Sequence, residues 1–203
     1  PNNDHAIHQT ELMLPPTGMT EYGNTGFRFV RLQVPNDATF PLELIAVVAV
    51  ALFRPLEYIG QFHCDDERLN QIWQTGAYTV HMNMQDYLYD GIKRDRMSWL
   101  GDIYPELCTI CAVFDDTDCV EKTLNFVIEH TPKGAWINET SSYAAWWILC
   151  QHAWFWNKAR LPYLQSQHKA IAAILHQLAE CVDDNGKEHL PETRFLDWPS
   201  HSD

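Results

Sequence analysis

The sequence predicts a mainly α-helical domain that is preceded by the last strands of a β-sandwich domain. Before Gly60 the apolar residues alternate as in a strand, and after Gly60 they recur at the helical spacing. Five helical segments follow Gly60, and no strand-like stretch interrupts them. We therefore assign residues 1–60 to the C-terminal strands of a β-sandwich domain with its linker, and residues 61–203 to a helical domain.

The composition limits the kind of partner. The chain has 203 residues, with 14 Lys and Arg against 27 Asp and Glu, a formal net charge of −13. Such a surface repels phosphate backbones and anionic headgroups, so we expect no nucleic-acid partner. The longest apolar run, residues 44–53, is too short for a membrane span. The eight Trp and eight Tyr can fill a core or stack on sugar rings.

Two stretches in the first sixty residues are expected to be strands. In GFRFVRLQV, residues 26–34, the two faces alternate with a period of two, and LELIAVVAVALF, residues 42–53, reads as a buried strand between Pro41 and Pro55. Two or three strands do not form a stable sandwich. We therefore expect Pro1 to be a cut, with the other strands upstream of it.

The first helix is expected to start at Asp65 or Asp66 as N-cap. Its spacing places four apolar residues on one face: Leu69, Ile72, Trp73 and Val80. The later helices are expected from about Ile103 to Phe114 with Pro105 in the first turn, after Asp116–Thr117 to near His130, over 141–159, and over 162–182 with Gly186 beyond its end. Core packing is predicted for four tryptophans of the fourth helix, Trp146, Trp147, Trp154 and Trp156.

The cysteines and histidines do not predict a metal site or a cofactor. Cys108 and Cys111 have the CxxC spacing, but they lie on an apolar helix without a second pair. The ten histidines show no HExxH pattern. We interpret the six cysteines as thiols packed like small hydrophobic residues.

The stretch DGIKRDRMSWLGD, residues 90–102, is named the acidic loop here and falls between the first two predicted helices. It combines aspartates, arginines and Trp99. Glycoside hydrolysis needs two carboxyl groups with separate roles, and neighbouring aspartates raise each other's pKa whereas arginines lower it. The stretch therefore fits a carbohydrate site, and the alternative is an ion-paired structural loop.

The acidic loop resembles that of the bacterial α-L-rhamnosidase family, glycoside hydrolase family 78, in the order Asp, Arg, carboxylic acid, Trp and Gly-Asp. Residues 53–84, the segment WINETSSYAAWWI and the closing RFLDW are also similar to that family. The resemblance implies the first part of an (α/α)6 barrel after β-sandwich domains. It also implies a carbohydrate substrate and hydrolysis of terminal α-L-rhamnose with inversion.

Carried over by position, the resemblance implies roles for five residues of the acidic loop. Asp95 would be the general acid, and Arg94 would hold this acid and the substrate. Asp90 and Asp102 would bind sugar hydroxyls, and Trp99 would line the pocket. Many members have Glu in place of Asp95, whose shorter side chain affects its reach. An acid role also requires desolvation and the other aspartates to outweigh the arginines.

Arg96 and Ser98 also depart from the commoner pattern, which leaves a subgroup with another sugar preference open. Further substrate-binding candidates lie in two later loops on the expected same barrel face: Trp136, Glu139, Tyr143, Asp197 and Trp198. For Glu139 the alternative is a capping or solvated carboxylate.

The chain is expected to be a fragment, because the family's general base is a Glu in a later part of the barrel, beyond Asp203. One hypothesis is therefore a glycoside hydrolase whose other half lies outside this chain. The second is a non-catalytic carbohydrate-binding remnant of the same fold, and a helical-barrel lyase or isomerase stays open as a third. Unpaired cysteines favour the cytoplasm and polysaccharide scavenging favours the periplasm, so the sequence leaves the compartment open.

Overall fold

The computed structural model describes Leu12, Thr39, Phe195 and residues 18–23, 25–34, 43–115 and 118–191. The fold in these residues is mainly helical, as predicted. Its elements are α1 (Glu67–Asn83), α2 (Leu100–Val113), α3 (Asp118–Glu129), a 3₁₀ turn (Ile137–Glu139), α4 (Ser141–Lys158) and α5 (Leu161–Ala179). No described helix is both long enough and apolar enough to cross a membrane.

The predicted start of α1 is confirmed, since the Asp66 side chain accepts a 2.9 Å hydrogen bond from the Arg68 backbone. The predicted apolar face is partly wrong. Leu69 and Ile72 are exposed, and the buried face is turned toward polar residues such as Asn70 and His81.

The buried face of α1 differs from the predicted one because these polar side chains form hydrogen bonds. Asn70 exchanges two 2.9 Å hydrogen bonds with the backbone of Cys64. The His81 ring contacts the Arg54 carbonyl at 2.7 Å and the Tyr58 hydroxyl at 3.1 Å. A buried polar group is stable when its hydrogen bonds are satisfied, and apolar spacing cannot reveal it.

Helix α2 starts at Leu100, three residues before the predicted start, so Gly101 and Asp102 belong to its first turn. Pro105 accordingly lies beyond that first turn, which corrects its predicted position. Leu100 is held by a partner distant in sequence, because its amide donates to Asn138 Oδ1 at 3.2 Å. The local sequence carries no cap that would have placed this start.

Helix α4 packs most extensively against α2 and supplies the largest buried side chains. Trp147 and Trp154 are fully buried, and Trp146 packs on Tyr104 with ring centroids 5.2 Å apart. These three agree with the predicted core role. Trp156 does not, since it is 77% exposed and stacks on the neighbouring His152.

The expected strands are not formed in residues 25–34 and 43–57, where the described backbone is irregular. Ile45 and Val48 are 91% and 77% exposed. A strand needs a neighbouring strand for its backbone hydrogen bonds. Among the described residues, no neighbour forms a ladder of hydrogen bonds with these segments. Tyr58 forms a single bridge with Phe114.

Gly60 joins this first segment to the helices. Its amide donates to the Val113 carbonyl at 3.1 Å, and a Cβ at this position would lie 1.8 Å from the Ala112 carbonyl oxygen. Glycine therefore permits the close approach. At the other end, α5 stops at Ala179, earlier than predicted, and Gly186 with a φ of 78° belongs to the turn that follows.

Candidate functional site

The acidic loop is closed at its base by residues Asp90 and Met97. The Asp90 amide donates to the Met97 carbonyl at 2.9 Å, and the Met97 amide donates to Asp90 Oδ1 at 2.8 Å. Below this pair, the Ser98 hydroxyl donates to the Leu88 carbonyl at 2.9 Å. The loop is therefore a defined structure that rests on the core through the fully buried Leu88.

Asp95 lies between a cation and an indole. Its Oδ2 accepts hydrogen bonds from Arg94 Nη2 at 3.0 Å and from Trp99 Nε1 at 3.3 Å. The structure thus brings together the expected acid, Asp95, with Arg94 and Trp99, which were expected to hold the acid and to line the pocket. The Asp95 side chain is 19% exposed.

The electrostatics of Asp95 and Asp90 are the reverse of those expected for an acid at Asp95. Burial raises the pKa of Asp95, but the hydrogen bond and charge of Arg94, with smaller help from Trp99, outweigh it and lower the pKa below its usual value. Burial raises the pKa of Asp90, and the nearby Asp95 charge adds to this effect. In this chain the hydrogen bond and charge of Arg94 outweigh desolvation at Asp95, whereas an acid role in the intact protein requires the opposite balance.

A second loop meets the acidic loop at the start of α2. Besides the bond from Leu100 to Asn138, the rings of Trp99 and Tyr143 are in edge contact with centroids 6.2 Å apart. A Cβ on Gly101 would lie 3.0 Å from the Tyr143 ring, a close contact that the ring could relieve only by shifting. The acidic loop and residues 136–143 therefore share one face of the helices.

Phe195 extends this face, because its ring lies 6.2 Å from that of Tyr143 and its carbonyl accepts the Ser142 hydroxyl. The predicted candidates Asp197 and Trp198 lie outside the described residues. Asp102 is exposed in the first turn of α2.

The remaining candidates differ in exposure. Tyr143 is buried, Trp136 is half-buried and Glu139 is exposed. Asn138 and Glu139 have φ values of 50° and 61°, a left-handed conformation that residues with a Cβ seldom adopt. The sequence did not predict a role for Asn138. The one sequence feature that pointed to its loop was Trp136, two residues earlier.

Glu106 is a further residue that the sequence analysis did not single out. It lies on α2 four residues after Asp102, and it is only 8% exposed. Its Oε1 accepts a 2.5 Å hydrogen bond from Asn83 Nδ2, and its buried Oε2 has no partner in the described part of the chain. Burial raises the pKa of Glu106 to about 8, and the charges of Asp102 and Asp90 act in the same direction.

The described residues contain no group of three or more His, Cys, Asp or Glu side chains arranged to hold a metal ion. All six cysteines are free thiols. Cys108 and Cys111 lie on α2, where burial raises the pKa of the Cys111 thiol to about 11. At neutral pH that thiol is protonated, which makes it a poor nucleophile and a poor metal ligand.

Comparison with known proteins places the chain beside a family of glycosidases and a solved structure. Residues 57–203 match the family described as the bacterial alpha-L-rhamnosidase 6 hairpin glycosidase domain. The chain is also similar to the crystal structure of a GH78 family rhamnosidase of Bacillus sp. GL1, with 26% sequence identity and a TM-score of 0.64. That similarity covers 72% of this chain and 16% of the Bacillus chain. No curated protein matches the sequence.

Proposed function

Because this chain belongs to the bacterial α-L-rhamnosidase six-hairpin glycosidase family, with α1–α5 as part of its helical barrel, we propose that the intact protein hydrolyses terminal α-L-rhamnosides or related glycosides with inversion. The observation that carries this proposal is the placement of Asp95 between Arg94 and Trp99. This arrangement offers a carboxyl group, a cation and an aromatic wall on the face shared with the loop at residues 136–143.

The proposed roles are those that the family implies at these positions. Asp95 is the general acid that protonates the leaving oxygen, and Arg94 orients it and contacts the sugar. Trp99 lines the pocket. Asp90 and Asp102 accept hydrogen bonds from sugar hydroxyls, because ionised carboxylates are strong acceptors.

Five residues have secondary proposed roles in substrate binding: Trp136, Glu139, Tyr143, Asp197 and Trp198. The contacts of Tyr143 with Trp99 and Phe195 support a role in shaping the site. Residues 1–60 are proposed to complete a β-sandwich domain in the intact protein. The exposure of their apolar side chains, such as Ile45 and Val48, supports a partner surface outside this chain.

Inverting hydrolysis requires a second carboxylate as general base, about 6.5–9.5 Å from the acid, with room for a water between them. The chain spans 16% of the Bacillus rhamnosidase that it resembles. We propose that the base comes from outside these 203 residues. This chain then contributes the acid half of the site and is inactive alone.

A non-catalytic carbohydrate-binding remnant of the same fold is the second candidate. The observation that favours it is the lowered pKa of Asp95, since Arg94 keeps this carboxyl group ionised. An ionised carboxylate accepts hydrogen bonds from a sugar but has no proton to give to a leaving group.

Hydrolysis of a panel of aryl glycosides separates the candidates. We expect the intact protein to hydrolyse the aryl α-L-rhamnoside faster than the matched α-D-mannoside and β-D-glucoside, and the 203-residue chain to hydrolyse none. Release of the aryl chromophore gives the rates. Binding of L-rhamnose by the intact protein without turnover of any substrate would support the remnant instead. Turnover by the short chain would show that a carboxylate of its own, such as Glu139, serves as base.

A further inference from the structure

The anchoring of the acidic loop involves a carboxyl group that has no place in the proposed reaction. Glu106 is more than nine-tenths buried, and its Oε1 accepts the Asn83 amide at 2.5 Å. Asn83 is itself the last residue of α1, and its backbone carbonyl accepts from Tyr89 at 3.1 Å and from Gln85 at 3.0 Å. Glu106 is therefore connected through Asn83 to the residue directly before Asp90.

The surroundings of Glu106 favour a neutral carboxyl group. Asp102 lies one turn earlier on the same side of α2, and Asp90 lies in the acidic loop. Helix α1 contributes the uncharged Asn83. Helix α4 also packs on α2, where Tyr143 covers Gly101. A buried carboxylate beside two aspartates would be destabilised both by desolvation and by repulsion.

We propose that Glu106 is a positioning residue of this site, which as a neutral acid fixes Asn83 and thereby the base of the acidic loop that holds Asp90. This inference rests on the proposed function for its effect on sugar binding. The buried Oε2, which has no hydrogen-bond partner in the described part of the chain, fits this state, because a buried charge without a partner would be less stable there than a neutral acid. Ionisation of Glu106 places a third negative charge there and loosens the loop.

The pH dependence has a defined sign. The pKa of Glu106 rises from 4.5 to about 8 in the folded protein. The stability that this group contributes is therefore fully present below about 4.5 and is lost as the pH rises through about 8. Glutamine at this position keeps an oxygen acceptor and replaces the acid O–H with an amide NH2 group that does not ionise, so it imitates the neutral acid at every pH.

The test compares the intact wild-type protein with Glu106→Gln and Glu106→Leu on an aryl α-L-rhamnoside, above and below about pH 8. Below it, the KM of Glu106→Gln should stay within about threefold of wild type, and that of Glu106→Leu should rise about tenfold, because the Asn83 amide loses its acceptor. Above it, KM should rise in wild type but not in Glu106→Gln. Glu129→Gln, at an exposed position on α3, is the matched control and should follow wild type throughout.

A second measurement needs no sugar. Hydrogen exchange at the Tyr89 and Met97 amides, corrected for the intrinsic effect of pH, should accelerate above about pH 8 in wild type and stay slow in Glu106→Gln. This result together with an absence of rhamnoside turnover would uphold the positioning role and refute the proposed function. The same exchange in both proteins above that pH, or a loop loosened by Glu106→Gln at every pH, would overturn the inference. The comparison of wild type with Glu106→Gln tests the positioning role even if Glu106→Leu does not fold.

Discussion

Asp95→Asn in the intact protein is expected to slow hydrolysis of rhamnosides with poor leaving groups by about 10²–10⁴-fold, the usual contribution of a positioned general acid. Activated aryl rhamnosides should be affected much less, because their leaving groups need little protonation. Asn retains a side-chain oxygen that can accept from Arg94 and Trp99, so the loop structure should persist. The ratio of kcat/KM for the two kinds of substrate measures the effect.

The lowered pKa of Asp95 opposes an acid role, because it favours the ionised carboxylate over the proton donor. A role as acid requires the sugar and the rest of the barrel to exclude water from this partly exposed side chain, since desolvation favours the neutral form. Asp90→Asn is the comparison variant and should slow both kinds of substrate, because it removes a binding group. Equal rates for Asp95→Asn and wild type on both substrates would assign the acid to another residue, with Glu139 the next to replace.

Trp147→Ala is expected to lower the free energy of unfolding of the chain by about 3–5 kcal/mol, the range for large aromatic deletions from a core. Trp147 is fully buried, and its indole donates to the Leu124 carbonyl of α3 at 3.1 Å. The substitution removes packing within the core cluster and the hydrogen bond that the indole adds to that carbonyl. Urea denaturation measured by circular dichroism gives the change.

Two variants make the stability prediction specific. Trp147→Phe keeps most of the ring but loses the hydrogen bond, so we expect a loss of about 1–2 kcal/mol. Trp156→Ala, at a site that is 77% exposed, should change stability by about 0.5 kcal/mol or less. A similar loss for Trp156→Ala and Trp147→Ala would contradict the burial of Trp147 and the exposure of Trp156 on α4.

The sequence predicted the helices well where local signals determine them, and poorly where distant partners do. Asp66 lies directly before an apolar pattern, and it is one of the two residues that the sequence predicted as the N-cap of α1. The start of α2 depends on Asn138, a residue 38 positions away, and was placed three residues late. The burial of Asn70 depends on bonds to Cys64 that no apolar spacing encodes.

For the candidate site, the residue types were predictable but their electrostatic balance was not. The order of Asp90, Arg94, Asp95 and Trp99 indicated which side chains would meet. The pKa of Asp95 depends on whether the Arg94 hydrogen bond outweighs burial, which only coordinates can decide. Glu106 was missed because an acidic residue on a helix is usually solvent-exposed, and its burial results from packing between α1 and α2.

The anomeric configuration of the first sugar released by the intact protein tests the central proposal most directly. Proton NMR of an aryl α-L-rhamnoside reaction, recorded before the free sugar mutarotates, distinguishes the two outcomes. The account predicts that β-L-rhamnose appears first, because water attacks the face opposite the leaving group that Asp95 protonates. Initial release of α-L-rhamnose, or no release of rhamnose at all, would contradict it.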